Sequence, residues 1–138
     1  MACAASRSVD RECLDAFRKA IDRSLDLAGH AREQILASPD LELTAPPSLG
    51  VLCFRRRGRA EASEAELART NAELIRGLEA SRNGLVSSTR LRGRFTVRMC
   101  CLNHSSTAQD VERMIEHFAH GLGRRRRAAT PAAAQNSR

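Results

Sequence analysis

The side chains with the greatest chemical potential lie in one short segment, where Cys100, Cys101, Asn103 and His104 occur within five residues. Cys53 lies on another predicted strand, which could be the neighbour of the strand that contains Cys100 and Cys101. A zinc site needs about four converging ligands, usually as Cys-x2-4-Cys or His-x3-5-His pairs, and neither pair is present. Adjacent cysteines on a strand also point to opposite faces, so one ion could not easily bind both. We interpret these cysteines as small apolar side chains and predict no metal site.

Covalent catalysis is the alternative chemistry for this segment, with a cysteine as nucleophile and His104 as its base. That reaction needs an orienting partner and an oxyanion hole, and the sequence indicates neither. The segment "NHSST" is instead typical of a turn followed by a helix cap, with Thr107 or Ser106 as the N-cap and Asp110 in the first turn. We therefore predict no catalytic residue here.

Three further residues could bind a ligand. His117 and His120 are three apart on a predicted helix, without a third metal ligand in view, and we interpret them as surface or interface histidines. Arg98 lies in an apolar strand, where a guanidinium needs an anionic or carbonyl partner to offset its desolvation. We favour a structural ion pair or an interface contact for Arg98 over a substrate-binding role. No glycine-rich phosphate loop is present.

Hydrophobic periodicity predicts the elements that position these residues. The predicted elements are a helix over 9–37, a strand over 41–44 with a turn at Pro46-Pro47, a strand over 49–55, a helix from a capping box at Ser63 and Glu66 to Asn83-Gly84, a hairpin of strands 85–91 and 95–102, and a helix from 107 to about 122. The fold class is α+β, with a small four-stranded antiparallel sheet and three helices on one face. Residues 1–8 and the Arg/Ala-rich residues 124–138 are expected to be disordered.

The strand over 49–55 has apolar residues on both alternating faces, which predicts a central strand covered on both sides. Three helices on one face would leave the other face partly apolar and uncovered. The second cover must then come from another domain or subunit.

The net charge of +7 suggests nucleic acid, but its distribution argues otherwise. Arg124 to Arg127 and Arg138 hold five positive charges, so the rest of the chain has 18 basic and 16 acidic residues, a balance of +2. Four Phe are the only aromatic residues, which leaves little to stack on bases. A small basic binding module that uses its Arg-rich tail, and an interaction protein that uses its uncovered sheet face, remain alternatives. Five cysteines, an odd number, and no apolar run near ~20 residues predict a reduced cytoplasmic protein without membrane spans.

In order and spacing, these segments resemble the carboxy-terminal small domain of group II pyridoxal-phosphate-dependent amino-acid decarboxylases, the aromatic-L-amino-acid decarboxylase family. The resemblance covers about Val9 to Leu122, which sets a domain over residues 9–123. It rests on four segments of the sequence: "LEL" at 41–43, "PSLGVLCFR" at 47–55, "GLVSSTRLRG" at 84–93 and "LNHSSTAQDV" at 102–111.

The resemblance implies a homodimeric lyase whose pyridoxal phosphate forms a Schiff base with a lysine of a large domain, and a small domain whose sheet packs on that large domain. The only lysine here is Lys19, in a context unlike that of the family's catalytic lysine. No catalytic or cofactor-binding residue of the family can be carried over. We therefore expect a carboxy-terminal portion of a decarboxylase that binds no cofactor and is inactive by itself.

Overall fold

A computed structural model describes residues 11–103 and 105–121. The predictions for residues 1–8, His104 and the tail 124–138, and the predicted helix end near Leu122, lie outside the described residues. The elements in chain order are α1 (Arg11–Ala37), β1 (Leu41–Ser48), β2 (Val51–Arg56), α2 (Glu64–Ser81), β3 (Ser87–Leu91), β4 (Arg94–Cys100) and α3 (Ala108–His120).

The four strands form one antiparallel sheet in the order β1-β2-β4-β3. Alternate side chains of the two central strands point to the helices and form the core. Leu52 and Phe54 of β2 lie opposite Met99 and Val97 of β4, and all four are buried. Phe54 also packs edge-on against Phe118 of α3, with the ring centroids 5.2 Å apart. The predicted α+β class with an antiparallel four-stranded sheet is confirmed.

Two helices begin at capping boxes. Ser63 accepts a hydrogen bond from the Glu66 N–H, while the Glu66 carboxylate accepts one from the Ser63 N–H. Thr107 and Asp110 form the same reciprocal pair at the start of α3. Each box satisfies N–H groups that have no partner within the helix, which fixes where the helix begins. Both predicted N-termini are confirmed.

The predicted turn at Pro46-Pro47 is wrong, because β1 continues through both prolines to Ser48. β1 is an edge strand with an irregular register, and a strand edge tolerates residues that donate no hydrogen bond. The chain reverses instead at Leu49-Gly50, with φ values of 48° and 75°. Leu49 is therefore a turn residue that is 82% exposed, and not part of the central strand.

Two further boundaries differ from the prediction. The left-handed residue that ends α2 is Arg82, with φ of 56°, and not Gly84. The hairpin turn falls at Arg92-Gly93 as predicted, but β3 begins later than predicted, at Ser87, and β4 begins one residue earlier, at Arg94, and ends earlier, at Cys100. Leu85 and Leu102 consequently lie outside the strands and are exposed. Apolar character alone did not mark the strand ends.

Candidate functional site

The cysteines of the predicted reactive cluster occupy both sides of the sheet. Cys53 of β2 lies opposite Arg98 of β4, and Val51 lies opposite Cys100, so these four side chains share the face away from the core. We call this surface the open sheet face. Cys101 follows β4 and is buried on the opposite side, as the alternation predicted. The structure thus brings Cys53 near Cys100 and separates both from Cys101.

The electrostatics of two of these thiols do not favour a nucleophile. Burial raises the pKa of Cys101, and the neighbouring Cys100 raises it further. Burial also raises the pKa of Cys53, and it outweighs the opposite effect of Arg98. Because the thiolate is the reactive form, these two thiols are held in their unreactive state at neutral pH. His104, the proposed base, lies outside the described residues.

The two histidines of α3 do not act together. His117 donates its Nε2 hydrogen to the backbone carbonyl of Leu74, 2.8 Å away, which ties α3 to α2. A third histidine that the sequence analysis did not single out, His30 of α1, pairs with Glu112 of α3 at 2.8 Å. Within residues 11–103 and 105–121, no group of three or more His, Cys, Asp or Glu side chains could hold a metal ion.

The arginine that is buried and paired is Arg55, not Arg98. Arg98 is exposed on the open sheet face, so the prediction of buried surroundings for it is wrong. Arg55 is only 6% exposed and lies just beyond Phe54, the last β2 residue paired with β4. No clear signal in the sequence marks Arg55 as buried, because "FRRRG" is typical of the end of a strand where all three arginines reach water.

Arg55 is held by carboxylates from two other elements. Its Nε donates to Glu42 of β1 at 2.5 Å, and its Nη1 donates to Glu64 of α2 at 2.8 Å. Glu42 also pairs with Arg94 at 2.6 Å, and Glu64 accepts the Phe95 N–H at 2.8 Å. Hydrogen bonds from Arg55 and then Phe95 lower the pKa of Glu64. This arginine cluster joins β1, β2, β4 and the start of α2.

A cleft between α1 and the segment after β4 contains the only lysine. Lys19, Arg23 and Asn103 line it together with apolar side chains, and Arg23 donates to the Ser106 carbonyl at 3.1 Å. Pyridoxal phosphate would require a lysine beside a carboxylate that pairs with its ring nitrogen. Among residues 11–103 and 105–121, no carboxylate lines this cleft, so the described residues around Lys19 do not fit that cofactor.

Two surfaces remain that could bind a partner. The open sheet face carries half-buried Val51 and Cys53 beside exposed Arg98 and Cys100, so the described part of the chain covers it incompletely. The predicted covering of β2 on both sides is thus complete on the core face only. The second surface is the amino-terminal half of α1, where four large apolar side chains are exposed. Among the described helices, none is long and apolar enough to cross a membrane.

The sheet order and the three helices define a class: the fold is that of the carboxy-terminal domain of pyridoxal-phosphate-dependent decarboxylases. The crystal structure of Oryza sativa TDC with PLP matches with a TM-score of 0.68 and 22% identity, over 77% of this chain and 24% of that one. Catharanthus roseus tryptophan decarboxylase in complex with L-tryptophan matches with a TM-score of 0.65 and 16% identity, over 74% of this chain and 22% of that one.

The sequence comparison points to the same class. The chain is 27% identical over 96 residues to aromatic-L-amino-acid decarboxylase from Bacillus atrophaeus, which covers 70% of this chain and 20% of that protein. No protein-family profile matches the chain. The resemblance predicted from the sequence is confirmed. The chain spans only about a fifth to a quarter of the length of these relatives.

Proposed function

We propose that this chain is the carboxy-terminal portion of a pyridoxal-phosphate-dependent amino-acid decarboxylase that acts on aromatic L-amino acids. The observation that carries the proposal is the agreement between the sheet order with its three helices and the sequence match to an aromatic-L-amino-acid decarboxylase. Residues 9–123 form the small domain. The complete enzyme is a cytoplasmic homodimer, and its remaining four-fifths supplies the lysine that binds the cofactor.

In this proposal the open sheet face packs on the large domain. Val51, Cys53 and Cys100 give that face an apolar centre of short side chains, which suits close packing against another domain. Exposed Arg98 would then meet an acceptor of the large domain and would gain there the partner that an arginine on a buried face requires.

The chain alone is proposed to decarboxylate nothing. Its one lysine lies in the exposed first part of α1, and no described carboxylate lines the cleft around it, so these residues do not supply the partner that the cofactor's ring nitrogen needs. The test incubates the purified chain with pyridoxal phosphate and carboxyl-labelled tryptophan, tyrosine and phenylalanine. We expect no labelled carbon dioxide and no borohydride-fixed cofactor. Decarboxylation that disappears in Lys19→Ala would contradict the proposed inactivity.

A complementation experiment tests the origin of the chain. The Bacillus atrophaeus decarboxylase, deleted for the segment that this chain matches, is co-expressed with the chain and assayed for carbon dioxide release. We expect activity from the pair and from neither part alone. Arg98→Glu, on the open sheet face, should weaken complementation, while Arg113→Glu on exposed α3 should not. A pair that stays inactive although both parts are folded would leave the enzyme assignment without support.

A second candidate function follows from the charge distribution. Five of the 23 basic residues are arginines of the tail 124–138, so the chain could be a basic module that binds nucleic acid or an acidic surface. Such binding would weaken steeply with salt and would vanish when residues 124–138 are deleted. A decarboxylase domain predicts that the deletion leaves complementation intact. The two readouts therefore separate the candidates.

A further inference from the structure

Residues 11–25 of α1 form an arm that the rest of the described chain leaves largely exposed, apart from the cleft at Lys19 and Arg23 and the hydrogen bond from Arg23 to Ser106. None of residues 11–23 is buried, and the first buried residue of the helix is Ser24. Thirteen helical residues rise about 20 Å. An uncovered helix of this length would be expected to be polar all round, and this one is not.

Four large apolar side chains form a stripe along the arm. Their exposed fractions are large: Leu14 45%, Phe17 65%, Ile21 43% and Leu25 45%. Phe17 and Ile21 lie within about 40° of core residues Ala28 and Ile35 around the helix axis. The apolar face that the core buries at the end of α1 therefore continues onto the arm without a cover. Single exposed apolar residues are ordinary, but a contiguous stripe marks an interaction surface.

The stripe is complementary to itself when two arms run antiparallel. With a two-fold axis between residues 19 and 20, Leu14 lies level with Leu25 of the other copy, and Phe17 lies within one residue, about 1.5 Å along the axis, of Ile21. Arg18 and Asp22 flank the stripe on one side, where Arg18 also contacts Asp15 at 3.9 Å. The same axis brings Arg18 within one residue of the level of Asp22 of the other copy, and the reverse. Isologous contacts of this kind are the commonest in homodimers.

We propose that the free chain self-associates as an antiparallel pair of α1 arms, held by the apolar stripe and by two Arg18–Asp22 contacts between copies. This inference is independent of the proposed function, because it concerns a helix face and not the open sheet face. With side chains of about 150–200 Å² that are roughly half exposed, the stripe offers ~350–400 Å² per copy. A standard interface buries about 800 Å² per partner, so the dimer should be weak and concentration-dependent.

The first test measures the mass of the full chain by sedimentation velocity from about 1 to 500 μM. The wild type should shift from monomer to dimer within this range. Phe17→Ser with Ile21→Ser should remove the stripe and stay monomeric. Leu36→Ser is the matched control, since Leu36 is an exposed leucine of the same helix beyond the arm. It should dimerise as the wild type does.

The second test uses charge to establish the antiparallel register. Arg18→Asp places two acidic residues together across the axis, and Asp22→Arg places two basic residues together. Each variant alone should dimerise at least tenfold more weakly than the wild type. Mixed in equal amounts, the two should form a heterodimer, because every contact across the axis then joins opposite charges. Helix content from circular dichroism confirms that each variant is folded.

Three results would overturn the inference. If the wild-type chain is monomeric at 500 μM, the arm does not pair with itself. The stripe would then be a surface that the rest of a decarboxylase covers. A double-serine variant that dimerises like the wild type would place the interface elsewhere. Charge variants that do not recover on mixing would exclude the antiparallel register.

Discussion

Replacement of Arg55 by Met should destabilise the domain far more than any exposed arginine would. The substitution removes a cation that is 6% exposed and leaves Glu42 and Glu64 facing an apolar side chain. Breaking a buried ion pair by deleting one partner costs about 3–5 kcal/mol. Here the cost is smaller, because Glu42 keeps Arg94, Glu64 keeps the Phe95 N–H, and both carboxylates reach water. We expect a loss of about 2–3 kcal/mol in the free energy of unfolding.

The assay is urea and thermal unfolding followed by far-UV circular dichroism at pH 7. For a domain of this size, each kcal/mol lowers Tm by roughly 4–8 °C, so Arg55→Met should lower it by about 8–24 °C. Arg55→Lys keeps the charge but loses the planar fork that reaches two carboxylates, and it should fall between Met and the wild type. Dilute protein keeps self-association from contributing to the midpoint.

The matched control is Arg98→Met, which removes an exposed arginine from β4. Surface substitutions of this kind change stability by about 0.5 kcal/mol or less. If Arg55→Met stays within that range, the cluster does not stabilise the fold and our account of it is wrong. Equal losses in the free energy of unfolding at Arg55 and Arg98 would show that the burial of Arg55 is not the cause of the destabilisation.

The remaining predictions concern pairs of polar groups. Asn71→Leu removes the amide that pairs with both the N–H and the C=O of Arg56, so it should lower the free energy of unfolding in urea by about 2–4 kcal/mol. The control Asn83→Ala, at an exposed position, should not. A loss below ~1 kcal/mol for Asn71→Leu would show that these two hydrogen bonds do not stabilise the fold. Thr107→Ala should lower the free energy of unfolding by about 1 kcal/mol, and Thr107→Ser, which keeps the hydroxyl, by much less. Equal losses would show that the capping hydroxyl is not the source of the stabilisation. The pKa of Glu64 is lowered in the folded state, so its stabilisation is present above the ordinary carboxyl pKa and is lost as pH falls through the folded value. Unfolding free energy measured from about pH 5 to pH 3 should therefore fall more steeply for the wild type than for Glu64→Gln, and parallel slopes would contradict this.

The parts of the fold that could be predicted depend on local signals. Ser63 with Glu66 and Thr107 with Asp110 are readable because a capping box involves residues only three apart. The turn at Arg92-Gly93 is readable because glycine in a short polar segment favours a positive φ. The path of Pro46 and Pro47 could not be predicted in this way. Prolines end a central strand but can continue an edge strand, and whether β1 is an edge strand depends on the strand order, which is not a local property.

The candidate surfaces were predictable to a lesser degree. Arg98 and Arg55 both follow apolar strand residues, and only the separation of β2 from β4 beyond Phe54 decides which of them is buried. The partners of Arg55 lie 13 and 9 residues away on different elements, with no spacing rule to connect them. The stripe on α1 was visible as periodicity, but its exposure depends on where the domain ends beneath the helix.

The change at Ser24 divides α1 into two stability regimes along one continuous helix. Residues 24–37 can lose their hydrogen bonds only when the core opens, so their amides should exchange with solvent at a rate set by global unfolding. None of the thirteen residues before them is buried, and a helix of that length is marginal in water on its own. Their amides should exchange through local fraying in the free chain and become protected when a partner covers the stripe. Binding at the arm would therefore be coupled to helix formation, and its affinity would depend on the helix propensity of residues that touch no partner.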